Sequence, residues 1–530
     1  MQLFNALAEE VKNLGIDTCF GIPGVHNLEL YNAFRQANFK IIETTHEQSA
    51  AFMADGYARS SGRIAVCCMI DGPGYLNAAT GIGQAYSDSV PMLVVTPLLP
   101  TDCSVNGRLH ELNDQRLISS KVCAQTFEVA NAQSLLDVMD QVEYSFSQTR
   151  PRPIHVHVPL TAHKEVSGFS TSRCKRTFNE VELSNQDMER ASTLLNQSSR
   201  PIIVLGGGAI NASDRVRILA EKLDAPCLNT VHGKGILPLT HPLRVGGSPS
   251  LGCVQEAIRD ADVVLAIGTE FGETDFGFFP SNQLGKIKRL IRIDIDREQL
   301  NKNQQSQVGL YGDAKEVISI LDVETKQRDG SRRVKLLRAA IREEAFVDRN
   351  YCEVLASLTN NTDVLVGDSC QPTYHAIWSA EPARPRAYFH SVSGFGTLGY
   401  ALPASIGAKI ANPDKRVTAL VGDGGLLYTL SEVFTAVQRK IPIAIVIWNN
   451  DGYGEIEKAS QVFPNGYRCP RMHVPQYEKI AEGFGASFAK AEDLCTLEDE
   501  LRKAHSRDLP TFIQLNESHF INPNTKNWYL

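Results

Sequence analysis

The feature that most constrains this chain is a repeated alternation of short apolar runs, rich in Val, Ile and Leu, with stretches of helical character. A first series runs through Thr18-Cys-Phe-Gly, Lys40 to Thr45, Ile64 to Met69, Met92 to Thr96 and Ile154 to Pro159. A second runs through Arg200 to Gly208, Ala261 to Gly268 and Ile291 to Asp296, and a third through Asp363 to Asp368, Arg416 to Gly424, Ile441 to Asn450 and Thr511 to Leu515. Strands buried on both faces read as unbroken apolar runs, whereas half-solvated strands alternate polar with apolar. Helices fit between the runs, for example Glu47 to Arg59 and Asn77 to Ser87. The pattern predicts an α/β protein of three doubly wound parallel-sheet domains at residues 1–166, 188–345 and 350–530. A length of 530 residues is too great for one ordinary core and agrees with that division. The polar stretch 167–187 reads as a linker, and the charged tract from Lys326 to Arg349 as a helical close to the second series.

Several function classes are disfavoured at once. A net charge of −7 with no Lys/Arg block argues against nucleic acid or an anionic membrane as partner. The longest apolar runs, such as Ile441 to Trp448, are far too short to span a bilayer. None of the 12 cysteines forms a C-x-x-C pair, so neither a zinc site nor a disulfide framework is indicated, and Cys67-Cys68 reads as buried strand. The first residues start an amphipathic helix without a basic leader or cleavage site, which makes the cytoplasm the expected location. Gly206-Gly-Gly-Ala lacks the third glycine of a dinucleotide fingerprint and reads as a strand-to-helix turn, so no flavin is expected.

Chemistry enters with two motifs of the third series, Gly422-Asp423-Gly424 and Asn449-Asn450-Asp451-Gly452-Tyr453-Gly454. Each sits at the carboxyl end of an apolar run, where open parallel sheets place their ligands. An Asp and an Asn offer the hard oxygens that Mg²⁺ prefers, and few are needed when a diphosphate supplies the rest. The glycines, Gly425 included, let backbone approach phosphate, and a helix N-terminus there offers free N–H groups.

The GDG…NN pair resembles the fingerprint of the thiamine-diphosphate family that contains acetolactate synthase, pyruvate decarboxylase, benzoylformate decarboxylase and benzaldehyde lyase. The resemblance extends over essentially the whole chain: Phe20-Gly-Ile-Pro-Gly, Thr45-His-Glu-Gln-Ser-Ala-Ala-Phe-Met-Ala-Asp-Gly-Tyr-Ala-Arg59, Gly72-Pro-Gly-Tyr-Leu-Asn77 and Gly394-Phe-Gly-Thr-Leu-Gly-Tyr-Ala-Leu-Pro403. It implies thiamine diphosphate and Mg²⁺ as cofactors, with Asp423, Asn450 and the Gly452 carbonyl on the metal. It implies that Glu47 hydrogen-bonds the pyrimidine N1′, favouring the tautomer whose imine generates the C2 ylid. Leu398 falls where the family supports the bent cofactor, and Gly396 where a carbonyl holds the 4′-amino group. Pro23, Gly72, Asn77 and Tyr453 fall among its cofactor contacts. His26 and His110 stand as candidate general acid/bases, His46 as helix surface or a capping partner, and Gln84 as a residue of the active-site wall. The resemblance also implies a homodimer or homotetramer with active sites at the interface.

The reaction implied is non-oxidative decarboxylation of a 2-oxo acid. Glu455 and Glu457, directly after the metal motif, and Glu273 and Asp275 in a second-domain loop suit a cationic substrate end. The segments Phe20–His26, Thr45–Gln48, His110–Leu112 and Gly452-Tyr-Gly-Glu-Ile456 together resemble the 5-guanidino-2-oxopentanoate decarboxylases. The alternatives are an acetolactate synthase-like carboligase and, in another class, a non-catalytic regulatory homologue.

Overall fold

The computed structural model describes residues 3–99, 107–160, 184–277, 284–344, 349–460, 463, 466–467 and 473–521. Three sheets, all parallel, account for the strands. The first holds β1 (Thr18–Gly21), β2 (Lys40–Glu43), β3 (Val66–Cys68), β4 (Met92–Leu98), β5 (Gln125–Glu128) and β6 (Pro153–Pro159), in the order 2-1-3-4-6-5. The second holds β7 (Pro201–Leu205), β8 (Cys227–Asn229), β9 (Val263–Ile267), β10 (Leu290–Asp294) and β11 (Val308–Tyr311), in the order 11-10-9-7-8. The third holds β12 (Val364–Gly367), β13 (Tyr388–His390), β14 (Val417–Gly422), β15 (Ala444–Asn449), β16 (Ser487–Ala491) and β17 (Thr511–Asn516), in the order 13-12-14-15-17-16.

The first and third sheets share one strand order, so the chain builds the same unit twice. Corresponding helices, Glu47–Ser61 after β2 and Ala401–Ala411 after β13, pack directly on each other. Their contact is so close that only glycine fits. A Cβ on Gly56 would meet the Ala404 carbonyl oxygen at 2.0 Å, and one on Gly407 would meet that of Met53 at 1.9 Å. The largest apolar cluster is continuous across the two units, with Phe52, Tyr57 and Tyr75 from the first and Tyr400, Leu426 and Phe512 from the third. Inside this seam Arg59 lies 2.6 Å from both Asp55 and Asp88, and the Tyr400 hydroxyl donates to Asp55. That arrangement satisfies a guanidinium buried between two apolar surfaces.

Some expectations need correction at their edges. The helix expected from Asn77 begins at Pro73, because proline suits the first helical turn. The expected linker lies largely outside the described residues, but its last part is the Asn185–Gln197 helix, capped by Ser184. The charged tract is two helices, Gly330–Glu344 and one that starts at Arg349. The strands the sequence did not show, β5, β8, β11, β13 and β16, are all short and include every edge strand but β2. Gly206 and Gly208 serve close approach of backbone to the Gly268 turn. Among the described residues no helix is long and apolar enough to cross a membrane.

Candidate active site

The two motifs meet at the carboxyl edge of the third sheet. β14 ends at Gly422 and the Asp423–Leu426 helix starts at once, while the neighbouring β15 ends at Asn449. Gly452 N–H donates to Asp423 Oδ2 at 2.8 Å, and the Tyr477 hydroxyl donates to the Asp423 carbonyl at 2.9 Å. Burial pushes the Asp423 carboxyl up to about 6, opposed by the Gly424 and Gly452 backbone N–H groups. Asn450 Oδ1 lies 3.2 Å from Asp423 Oδ1 and 2.7 Å from the Gly452 carbonyl oxygen. Three oxygens with no proton between them repel unless a cation joins them. Ligands ~2.1 Å from a hard octahedral ion sit about 3 Å apart, which these spacings match. Turning the Asn450 amide would let its nitrogen donate to both oxygens, a metal-free arrangement of the same atoms. The Tyr453 ring covers Gly424, where a Cβ would lie 2.9 Å from it.

The loop carrying Gly396 and Leu398 is fixed from beneath by a residue the sequence reading passed over. Asp368, at the end of β12, accepts from Ser369, Gly399 and Ala401 N–H at 2.8, 3.1 and 3.0 Å. Burial raises its carboxyl to about 6 against these donors. Leu398 is thereby held beside Gly425, its Cδ2 3.8 Å from where a Cβ there would stand. Gly396 has φ +73 and open space around its Cα, a left-handed backbone that glycine adopts freely. Gln371 Oε1, 3.2 Å from Asn450 Nδ2, is a second residue not singled out from sequence.

Glu47 comes from the other unit, at the start of the helix after β2. His46 caps that helix by accepting from Gln48 N–H, as expected. Asn77 Nδ2 donates to Glu47 Oε2 at 3.0 Å, and a Cβ on Gly74 would lie 3.2 Å from Glu47 Oε1. The Thr45 and His46 N–H groups donate to Glu432 Oε1 at 3.0 and 3.1 Å. Glu432 opens the helix that follows the Asp423 loop. This contact, invisible in the sequence, ties the corner bearing Glu47 to the unit bearing Asp423 within one chain.

The remaining expected residues fall into four groups. His26 and His110 are brought together around Asp71, which the sequence reading did not name: His26 Nδ1 is 2.8 Å from Asp71 Oδ1 and 3.4 Å from His110 Nδ1. Gly72 has φ +60, its N–H donates to Gln115 Oε1, and a Cβ there would meet the His110 carbonyl at 2.3 Å. Pro23 stands exposed in the same set of loops. Gln84, by contrast, is buried with both polar atoms engaged: Nε2 donates to Asp88 and the Ser393 carbonyl, and Oε1 accepts from Thr397 N–H and Oγ1. In this structure it pins the 393–397 loop instead of standing free as a wall. Glu455 and Glu457 are half-buried on the Gly454–Ser460 helix. Burial and then the Glu455 charge push the hydroxyl of Tyr374, on the Gln371–Ser379 helix, up to about 12. Asp275 is half-buried and accepts from Val231 N–H, and Glu273 lies exposed on the same short helix.

A duplicated parallel-sheet unit, with an acid at a helix start in one copy and an Asp–Asn–carbonyl trio at the sheet edge of the other, is the architecture of a cofactor-dependent enzyme. Residues 1–117 match the thiamine pyrophosphate enzyme N-terminal TPP binding domain, 188–321 the central domain, and 371–515 the C-terminal TPP binding domain. The chain belongs to the thiamine pyrophosphate enzyme family, and thiamine diphosphate is the cofactor its matched domains bind. It is 37% identical to a probable 2-ketoarginine decarboxylase of Pseudomonas aeruginosa, over 97% of this chain and 93% of that one. It is 29% identical to the acetolactate synthase isozyme 1 large subunit of Escherichia coli, over 94% and 91%. A probable acetolactate synthase large subunit of Methanocaldococcus jannaschii is 27% identical, over 96% and 91%.

Proposed function

We propose that this enzyme decarboxylates 5-guanidino-2-oxopentanoate, the deaminated form of arginine, with thiamine diphosphate and Mg²⁺. The observation that carries the substrate is the pair of half-buried carboxylates, Glu455 and Glu457, one turn beyond the metal trio. Similarity to a probable 2-ketoarginine decarboxylase over nearly the whole of both chains supports it. A guanidinium pairs with such carboxylates in charge-assisted hydrogen bonds, whereas an aliphatic end would leave them desolvated and unpaired.

When bound, thiamine diphosphate supplies the nucleophilic carbon and the electron sink that decarboxylation needs. Asp423, Asn450 and the Gly452 carbonyl would hold Mg²⁺, and the N–H groups of Gly424 and Gly425 would be the donors available to the diphosphate. Glu47, oriented by Asn77, holds a proton at the pyrimidine N1′. The Gly396 carbonyl would accept from the 4′-amino group, and Leu398 would pack against the cofactor. His26 and His110 exchange protons with the reacting carbon, and Glu455 receives the guanidinium. With Glu47, Asp423 and Asn450 all in place, a non-catalytic regulatory role is disfavoured.

The assembly in this reading is a cytoplasmic homodimer or homotetramer with active sites at the interface. Leu76, Phe395, Leu427, Tyr428 and Phe434 are exposed around the motif residues, and apolar surface of that kind suits a second copy. Sedimentation at assay concentration tests it, an active monomer being the contrary result. The catalytic test is CO₂ release across pyruvate, branched, aromatic and guanidino 2-oxo acids. Preference for the guanidino acid, with the aldehyde as product, supports the reading. Acetolactate from pyruvate would replace it with the carboligase reading that the Escherichia coli relative favours.

A further inference from the structure

The proposed reaction, RCOCOO⁻ + H⁺ → RCHO + CO₂, needs one proton delivered to the carbon that CO₂ leaves. Resting on that reading, we propose that Asp71 is the positioning residue that makes His26 and His110 one proton-delivering unit.

All three side chains lie at the carboxyl edge of the first sheet, on loops after β1, β3 and β4. His26 Nδ1 is 2.8 Å from Asp71 Oδ1, and His110 Nδ1 is 3.7 Å from the same oxygen. The two rings meet edge to face with centroids 4.8 Å apart. Both therefore turn Nδ1 toward one carboxylate and leave Nε2 as the atom free to trade protons with a ligand. Asp71 is 3% exposed, whereas His26 and His110 are 15% and 21% exposed. Asp71 Oδ2 has no hydrogen-bond partner among the described residues. A buried carboxylate with an idle oxygen is rare unless it serves a function.

The surroundings hold this geometry at some cost. His110 has φ +63, a left-handed backbone that a non-glycine residue adopts only when its neighbours enforce it. Gly72, next to Asp71, lets the His110 carbonyl approach where any Cβ would collide. Its N–H is held by Gln115, which donates to Thr96, which in turn bonds His155 and so Ser119, a buried polar chain behind the turn. Two residues on, Gly74 touches Glu47, so the unit adjoins the catalytic corner.

A carboxylate accepting from imidazole Nδ1–H fixes the tautomer and stabilises the imidazolium without taking its proton. His26, the nearer ring, is the donor. Its Nε2–H bond breaks, and that proton forms the C–H bond of the aldehyde together with the electron pair freed as CO₂ departs. The imidazole is left neutral, and water restores the proton by way of His110.

The test is Asp71→Asn, which keeps the volume but turns an acceptor toward Nδ1 into a donor. The expected kcat falls about a hundredfold with KM and thiamine diphosphate affinity unchanged, and Asp71→Glu recovers part of it. In ¹⁵N-histidine spectra of the cofactor-free protein at a pH where the ring is neutral, His26 carries its one remaining proton on Nδ1 in the wild type and on Nε2 in Asp71→Asn, while the charged donor form carries both. With an added aldehyde, the variant diverts more product into 2-hydroxy ketone, because protonation is the slowed step. If Asp71→Asn does not fold, His26→Gln must give the same diversion. An unchanged tautomer and kcat overturns the proposal, as does stoichiometric Zn²⁺ on the three side chains of the purified protein. A wild type that releases no CO₂ from any 2-oxo acid instead overturns the decarboxylase reading itself.

Discussion

Adding one methyl group at Gly56 probes the join between the two duplicated units. The Cβ would stand 2.0 Å from the Ala404 carbonyl oxygen, which is helix backbone and cannot rotate away. A relaxed carbon-to-carbonyl approach is ~3.3 Å, so the helices must part by about 1.3 Å. Overpacking of a close core costs ~1–3 kcal/mol, and a rigid backbone obstacle puts Gly56→Ala at the upper end, about 3 kcal/mol. The same displacement moves Glu47 relative to the Asp423 loop, and a misplacement of ~1 Å costs on the order of a hundredfold in rate. The assays are the urea midpoint and kcat, with Gly483→Ala as control, since a Cβ there meets nothing within 4 Å. Gly407→Ala opens the same seam, so the double variant is expected to cost less than the sum of the two singles. Wild-type midpoint and turnover in Gly56→Ala would refute the close contact and the coupling drawn from it.

The other predictions concern metal, pH and substrate. Asp423→Ala is expected to abolish turnover and Mg²⁺-dependent cofactor retention while the far-UV spectrum persists; turnover that survives both the substitution and chelation would contradict the site. Burial, reinforced by the Arg116 charge, lowers His157 to about 4 from the usual ~6.5. Its contribution to stability is complete above ~6.5 and is lost as pH falls through about 4, at ~1.4 kcal/mol per pH unit. His157→Asn should flatten denaturation midpoints by roughly 2 kcal/mol between pH 6.5 and 5, and an unaltered slope would count against it. Glu455→Leu should lower kcat/KM for 5-guanidino-2-oxopentanoate ten- to a hundredfold, the worth of one charge-assisted hydrogen bond at ~1.5–3 kcal/mol, and raise it for 4-methyl-2-oxopentanoate. An unchanged order of preference would remove the guanidino assignment.

How much the sequence disclosed follows from which interactions are local. Central strands such as β4 and β15 are buried on both faces and announce themselves as apolar runs, whereas β5 and β16 are half-buried and short and do not. Asp423, Asn450 and Glu47 were legible because their neighbours form recognisable motifs at strand ends. Asp71 and Asp368 occupy telling positions, three residues after β3 and directly after β12, and a search of strand ends for acids finds them. Glu432 carries no such mark: its bond to the Glu47 corner joins residues 386 and 387 apart, and only the fold creates it. Gln84, expected on the substrate wall from the family resemblance, is buried against the 393–397 loop, a setting that only the fold creates.

CO₂ and aldehyde released from 5-guanidino-2-oxopentanoate by the enzyme supplied with thiamine diphosphate and Mg²⁺, measured beside Glu47→Gln, test the proposed reaction most directly. The expected result is equimolar CO₂ and 4-guanidinobutanal, faster than from pyruvate or 4-methyl-2-oxopentanoate, and at least a hundredfold slower in the variant, the scale of a lost proton-transfer group. No CO₂ from any 2-oxo acid, or release untouched by Glu47→Gln, would contradict it.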